Sequence, residues 1–269
     1  MLTLLSPAKR LDFESPIDAA ITDATTRSHF AADAATLIHT LRRKTPAQMA
    51  ALMHLSDALA TLNVERYAAW RPRATPRNSR PALLAFAGDV YVGLDARSLD
   101  ARALDWAQDH VAILSGLYGV LRPLDRVQPY RLEMGTRLAT EDESDLYGYW
   151  GDRLTRHLDR RLRGHAHPVL LNLASQEYFR AVDRAALKAR VVHAVFEDAQ
   201  PDAADNWRVV GVLAKRARGR LAGHVIRQRI DDPAALRGWR DEGYALAAKA
   251  STPDRLVFRR RQRAPAADR

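Results

Sequence analysis

The sequence of 269 residues contains no cysteine. This absence excludes disulfide bonds, thiolate zinc sites, iron–sulfur clusters and cysteine nucleophiles. No apolar run approaches the roughly 18 residues that a membrane-spanning helix needs. The apolar residues 2–5 are followed directly by Ser6 and Pro7, which is not the layout of a signal peptide. We therefore expect a cytosolic protein that does not contact a membrane.

Lysine is scarce in this chain, and arginine is its usual cation. The sequence has 42 basic and 32 acidic residues, which gives a formal net charge of +10. The whole excess lies in residues 208–263, where 15 basic residues stand against five acidic ones. This asymmetry favours a polyanionic partner. The alternative is a solvated basic surface that binds nothing.

The apolar patterns predict a mixture of strands and helices. Strands are predicted for the apolar runs at 2–5, 83–86, 169–173, 191–196, 207–213 and, as a last edge strand, 256–260. Helices are predicted from helical spacing at 46–68 (with one break), 100–114, 144–163 and 214–230. The first of these is predicted to begin with Thr45 as its N-cap and Pro46 at its first helical position. Strand–helix–strand order in the second half of the chain indicates some parallel pairing.

These elements predict the fold class α+β (mixed α/β). We expect a single domain over residues 1–269, with a mixed, partly parallel sheet and a helical insertion in its N-terminal third. The proline-rich loop 72–81 is either an internal boundary or a surface excursion. Residues 264–269 are predicted to form a frayed tail.

The helical insertion at 46–68 resembles the helix-hairpin-helix motif of DNA-binding proteins. In that motif, amides of the hairpin and of the second helix bind a backbone phosphate. Leu52 and Leu55 match its apolar positions, and Ala60 matches its small residue. An ordinary packed pair of helices is the alternative. His54 and Ser56 stand where the motif has glycines, and Asp57 adds a negative charge beside the expected phosphate.

Two further segments carry basic residues in informative places. The stretch KRARGRLAGHVIRQR (215–229) has six cations and no acid, which suits phosphate neutralisation or a solvated helix face. On a helix, Lys215 and Arg218 face one way, and Arg216 and Arg220 face another. Lys9 follows a strand end and a proline turn, where loops often carry function. A lysine in an arginine-rich chain suggests that a deprotonatable amine is useful there. The alternative is an ordinary exposed lysine in a turn.

Other motifs give little support for known chemistry. Gly116–Gly119 and Gly148–Gly151 enclose bulky residues, which indicates turns or packing rather than a clamp on nucleic acid. There is no dinucleotide-binding or Walker motif, and Ser115 lacks the glycine of a nucleophile elbow. The pair His165 and His167 could bind a metal only if the fold brought a carboxylate beside it. We therefore expect no cofactor and no metal.

Six sequence blocks, in this order, resemble the YaaA family: SPAKRLDF (6–13), FAGDVYVGL (86–94), LSGLYGVLRPLDRVQPYRLEMG (114–135), LYGYWGD (146–152), LNLASQEYF (171–179) and AKRARG (214–219). The family is bacterial and cytosolic, and it is associated with resistance to hydrogen peroxide and with limiting free iron. Its members are described as DNA-binding, with a helix-hairpin-helix beside a positively charged cleft in an unusual α/β fold.

The resemblance implies that residues 46–68 form such a helix-hairpin-helix. It also implies a shared cleft lined by residues of the matching blocks, namely Lys9, Asp89, Tyr91, Arg122, Tyr130, Arg131, Glu133, Asn172, Ser175, Glu177, Lys215 and Arg218. The expected function is largely sequence-independent binding of duplex or distorted DNA in the peroxide-stress response.

The residues expected to contact DNA are Lys9, His54, Ser56, Arg122, Arg131, Lys215, Arg216, Arg218 and Arg220. The alternative function is an enzyme that acts on damaged DNA or on a nucleotide, similar to a glycosylase or lyase. There a lysine amine attacks the sugar and a carboxylate assists it. The candidates for these catalytic roles are Lys9, Lys215, Asp89 and Glu133.

Overall fold

Short runs that are apolar on both faces form the centre of the sheet in this computed structural model, which describes residues 1–182, 185–199 and 206–261. The predicted tail at 264–269 lies outside the described residues. All four residues of the first strand are buried, as is typical of a strand covered on both sides.

The strands are β1 (Leu2–Leu5), β2 (Arg80–Pro81), β3 (Val111–Ser115), β4 (Gly119–Leu121), β5 (Arg126–Val127), β6 (Val169–Asn172), β7 (Arg190–Ala199), β8 (Arg240–Asp241), β9 (Tyr244–Leu246) and β10 (Arg255–Arg261). The α-helices are α1 (Ala19–Asp23), α2 (Ala31–Arg42), α3 (Pro46–Met53), α4 (Asp57–Ala69), α5 (Ala82–Ala85), α6 (Asp89–Leu94), α7 (Ala101–His110), α8 (Leu146–Trp150), α9 (Arg153–Leu162), α10 (Gln176–Phe179) and α11 (Gly211–Gln228).

Among the described residues, eight strands form one sheet in the order β4-β3-β1-β6-β7-β10-β9-β8. The pairs β1–β3, β1–β6, β6–β7 and β7–β10 are parallel, whereas β4 and β9 run antiparallel to their neighbours. Strand β1 therefore lies between β3 and β6, which follow it on opposite sides. The predicted fold class and the mixed, partly parallel sheet are confirmed.

The predicted helical insertion consists of α3 and α4, joined by residues 54–56. Thr45 caps α3 as predicted: its hydroxyl accepts from the amide of Gln48, whose side chain accepts from the amide of Thr45. Helix α3 ends at Met53, and its C-cap residue His54 has a left-handed backbone with φ 52°. Ala60 is fully buried where the two helices pack.

Helices α6 and α11 pack with their backbones in contact. A Cβ atom added at Gly219 of α11 would lie 1.8 Å from the carbonyl oxygen of Val90, and one added at Gly93 of α6 would lie 2.2 Å from that of Arg216. Real Cβ atoms do not approach other atoms this closely, so both positions require glycine. Helix α11 also packs on β7 and α7.

Three predicted strands differ from the structure. Residues 83–86 fall largely in helix α5, because a short, wholly apolar run has no period that separates a buried helix from a strand. Residues 207–213 contribute only an isolated bridge between Arg208 and Asp198 before α11 begins. The last strand, β10, is not an edge strand, since β7 and β9 pair with its two sides.

Two other differences concern the middle of the chain. The helix predicted over 100–114 ends at His110, and strand β3 follows at once. Loop 72–81 is tied to the rest of the chain, because β2 pairs with β5 and the amide of Arg71 donates to the side chain of Gln128. None of the helices in the described ranges is both long and apolar enough to cross a membrane.

The contact between α6 and α11 predicts a large difference between two glycines of the same helix. Gly219→Ala should lower the free energy of unfolding by about 1–3 kcal/mol or more, because the new methyl group overpacks against the backbone of Val90. Gly211→Ala is the matched control, since nothing lies within 4 Å of a Cβ added there. Urea unfolding of both variants measures the difference, and equal stability of the two would contradict this packing.

Candidate functional site

A cavity of about 490 Å³, here called the cleft, opens at the carboxyl ends of β1 and β6. The chain leaves β1 toward β3 on one side and later returns to β6 on the other, so this edge is a topological switch point. Ligands of open α/β sheets bind at such points. The lining residues come from the loop after β1, the start of α6, residue 133, residues 173–178 and α11.

Hydrogen bonds of Ser6 join the elements that form the floor of the cleft. The hydroxyl of Ser6 accepts from the amide of Ser175 at 2.8 Å. Its carbonyl accepts from the Tyr91 hydroxyl of α6 at 2.9 Å. The ends of β1 and β6 are thereby fixed relative to α6.

Four cations line the cleft, and they differ in their partners: Lys9, Arg10, Lys215 and Arg218. Lys9 Nζ lies 2.7 Å from Glu133 Oε2, and Arg131 Nη2 lies 3.2 Å from the other oxygen of that carboxylate. Lys215 is exposed and Arg218 is half-buried, and neither has an ion-pair partner within the described part of the chain. The Nε atom of Arg218 is buried without a hydrogen-bond partner, and burial lowers the pKa of this guanidinium.

Carboxylates also line the cleft. Glu133 lies between Lys9 and Arg131. Glu177 accepts from the amide of Gly135 at 3.0 Å. Asp89 is exposed in the first turn of α6. The cleft therefore mixes both signs of charge, and Lys215 and Arg218 on α11 are among its cations without a carboxylate partner in the described residues.

The tyrosines at the back of the cleft are held in the neutral form. Burial raises the pKa of Tyr91 and of Tyr178 well above the ordinary value, and neighbouring tyrosines add to the shift. These phenols therefore act as hydrogen-bond donors or acceptors rather than as bases near neutral pH.

The structure brings eight of the twelve residues expected in a shared cleft into its lining: Lys9, Asp89, Tyr91, Glu133, Ser175, Glu177, Lys215 and Arg218. Arg131 reaches this site only through its ion pair with Glu133. Asn172 lies behind the lining, where its side chain contacts His193 at 3.1 Å and accepts from the amide of Ala174. Their functional roles stay predictions.

Two of the twelve residues lie elsewhere. Tyr130 is buried, with its hydroxyl 2.7 Å from that of Ser115. Arg122 lies at the opposite edge of the sheet and pairs with buried Asp125. Sequence reasoning missed Ser6, Arg10 and Tyr178, which also line the cleft. The first two belong to the same SPAKR block that drew attention to Lys9.

The hairpin between α3 and α4 borders the cleft. A second cavity of about 670 Å³ is lined by the end of α3, including His54, and by the loop at 133–137. It shares Glu133 and Glu177 with the cleft. Ser56 precedes α4 without a side-chain cap, so its hydroxyl does not occupy the first amides of that helix.

Two of the four cations of α11 that are predicted to contact DNA are held by carboxylates away from the cleft. Arg220 forms a bidentate ion pair with Asp241, in which Nε and Nη2 lie 2.6 and 2.7 Å from the two carboxylate oxygens. Arg216 lies 3.1 Å from Glu242. The helical spacing separates these side chains from Lys215 and Arg218, as the sequence predicts.

A third cavity of about 540 Å³ lies at the amino edge of the sheet and is rich in basic side chains, including Arg27, Arg122, Arg161 and His157. Burial lowers the pKa of Arg161 to about 10, and the nearby Arg122 adds to this shift. Burial also lowers the pKa of His157 to about 3, with further lowering by its cationic neighbours. His157 stacks on His29 at 4.4 Å between ring centroids.

The lowered pKa of His157 predicts a specific pH dependence of stability. The unfolded chain takes up a proton at this residue near pH 6.5, whereas the folded chain does so only near pH 3. The contribution of neutral His157 to the free energy of unfolding is therefore complete above about pH 6.5. It decreases as the pH falls from there toward about 3. His157→Gln should lose less stability than the wild type between about pH 6.5 and 4 in urea unfolding. Exposed His167→Gln is the control, and the same pH dependence in both variants would contradict the assignment.

Comparison with known proteins identifies the family. The family model described as peroxide stress protein YaaA matches residues 1–250. A UPF0246 protein of Paracidovorax citrulli is 58% identical over 261 residues, which cover 97% of this chain and 99% of the relative. UPF0246 proteins of Verminephrobacter eiseniae and Bordetella pertussis are 57% and 53% identical, covering 97% of this chain and 98% and 100% of the relatives. The chain therefore belongs to the peroxide stress protein YaaA family.

Proposed function

We propose that this protein acts in the cytosolic peroxide-stress response by binding duplex or distorted DNA through the cleft and the adjoining hairpin. The observation that carries the proposal is the pair of cations on α11, Lys215 and Arg218, which line the cleft without acidic partners in the described ranges. Unpaired cations in a cavity favour an anion, and backbone phosphates are the anions that DNA presents.

The hairpin adds a second contact point on the same face. Its end at His54 lines the cavity that shares Glu133 and Glu177 with the cleft. The first amides of α4 lack a side-chain cap, and free amides at a helix start favour a phosphate. A duplex that reaches both places would be held by its backbone, which predicts binding that tolerates many sequences.

The charges outside the cleft contribute less to this proposal than the sequence predicts. Arg216 and Arg220 already have carboxylate partners in Glu242 and Asp241. In the last strand, Arg259 pairs with Glu197 and Arg260 with buried Asp198. A cation that is paired within the protein releases fewer counterions when DNA binds.

The charge pattern predicts a strong effect of salt and a difference between two neighbouring residues. Affinity for a fluorescent duplex should fall roughly 10³-fold between 50 and 200 mM salt if about six phosphates are neutralised. Lys215→Gln should weaken binding and reduce the salt slope by about 1. Fluorescence anisotropy over a salt series measures both.

Arg216→Gln is the matched control, because it removes the same charge from the next residue but from a side chain paired with Glu242. It should retain most of the wild-type affinity. Ser56→Asp tests the hairpin, because Asp keeps a good N-cap and places a negative charge where the phosphate would bind. Salt-independent binding, or equal losses in Lys215→Gln and Arg216→Gln, would overturn the proposed interface.

A second candidate function is enzymatic attack by a lysine amine on damaged DNA. It is favoured by the presence of both Lys9 and Lys215 in one cleft at the switch point, with Glu133 2.7 Å from Lys9 Nζ. The amine nitrogen would bond to the aldehyde carbon of an abasic sugar, and loss of water would give an imine. Glu133 is placed to accept the proton that Lys9 must release.

Borohydride trapping distinguishes this enzyme from a binding protein. Borohydride reduces an imine to a stable amine, so an enzyme of this kind should form a covalent adduct with abasic duplex. Lys9→Arg and Lys215→Arg keep the charge but cannot form the imine. We expect that the wild type forms no adduct and that both arginine variants bind DNA with nearly the wild-type affinity. An adduct with the wild type that one of these substitutions abolishes would establish the enzyme instead.

A further inference from the structure

A cluster of two imidazoles and a carboxylate lies at the amino edge of the sheet, away from the cleft. His110 ends α7, His165 lies in the turn before β6, and Asp231 follows α11. One donor atom from each of the three side chains lies within 4.8 Å of the others, and all three residues are half-buried. The fold thus brings a carboxylate, that of Asp231, beside His165, which no neighbouring residue in the sequence provides.

The ring of His110 is oriented with one nitrogen free to bind. Its Nδ1 lies 2.9 Å from the carbonyl oxygen of Trp106, and the two rings stack with centroids 3.9 Å apart. Because a carbonyl oxygen only accepts, Nδ1 carries the proton and Nε2 keeps its lone pair. Histidine ligands of metals are usually held in this way. The free Nε2 lies 4.0 Å from Asp231 Oδ1.

The second imidazole approaches the same oxygen. Nδ1 of His165 lies 3.8 Å from Asp231 Oδ1. The rings of His165 and His110 have centroids 4.7 Å apart. The amino group of Met1 also belongs to this cluster, since it contacts Asp231 and lies 3.1 Å from His165 Nδ1. This ammonium already lies where a cation would bind and contacts two of the three donors, so a metal ion has to displace it.

The donor spacing is close to that of a metal site. Bonds of about 2.0–2.1 Å to a tetrahedral zinc ion place the ligand atoms about 3.3 Å from one another. The separations of 3.8 and 4.0 Å from Asp231 Oδ1 to the two histidine nitrogens exceed this spacing by about 0.5 and 0.7 Å, and no two of the three donor atoms lie more than 4.8 Å apart. Both histidines also line the cavity of about 540 Å³ at this edge, which gives an ion a path from solvent.

We propose that His110, His165 and Asp231 bind one divalent transition-metal ion of the zinc class. Two imidazoles and one carboxylate suit Zn²⁺ and Co²⁺ and leave a coordination position for water or another donor. The proposal does not depend on DNA binding, because its residues lie at the opposite edge of the sheet from the cleft.

The test uses the full chain, freed of metal by chelation, and titrates it with Co²⁺ and Zn²⁺. We expect one bound ion per chain. Bound Co²⁺ should show the absorption band in the visible range that is typical of a low coordination number. His165→Ala and His110→Ala should each weaken metal binding at least about tenfold, because even the loss of a residue that only supports a metal ligand typically weakens binding by that factor. Zn²⁺ should raise the melting temperature of the wild type and not of these variants.

His167→Ala is the matched control, because His167 is exposed two residues from His165 and lies outside the cluster. It should bind both ions as the wild type does. His110→Ala leaves the contact between Met1 and Asp231 in place, so its loss of binding would not come from a broken ion pair. Wild-type binding no tighter than that of His165→Ala, or equal weakening by His167→Ala, would overturn the proposal.

Discussion

The close packing of α6 on α11 is the contact on which the cleft depends. Gly219 and Gly93 let the two backbones touch, and Lys215 and Arg218 lie within one turn of Gly219 on the same helix. Asp89 begins the partner helix. The distance between the helices therefore sets how far the unpaired cations lie from the end of β1. A larger side chain at either glycine would change the shape of the cleft as well as the stability.

The sheet keeps two polar regions apart. The cleft lies at the carboxyl ends of its central strands, and the cluster of His110, His165 and Asp231 lies at their amino ends. A strand of four residues such as β1 is about 13 Å long, and all of its residues are buried. The two regions therefore share no side chain, and substitutions in one should leave the other intact unless they unfold the sheet.

Local signals made part of this structure predictable. Thr45 and Pro46 gave the start of α3, and helical spacing placed Lys215 and Arg218 on one face. Other features depend on pairing between distant segments. Arg122 is not in the cleft because β4 runs antiparallel to β3 and carries the chain back to the amino edge. Likewise, no local pattern relates Asp231 to the two histidines that it approaches.

Glu133 gives the cleft a built-in competitor for anions. Its carboxylate binds Lys9 and Arg131 and is attached to the protein, so its effective concentration at these cations is far above that of a free ion. A single inorganic phosphate has to displace it alone. A polyanion can gain contacts at Lys215 and Arg218 while it does so. The cleft should therefore discriminate by the number of linked charges, and free phosphate in the cell would be a poor inhibitor of a longer ligand.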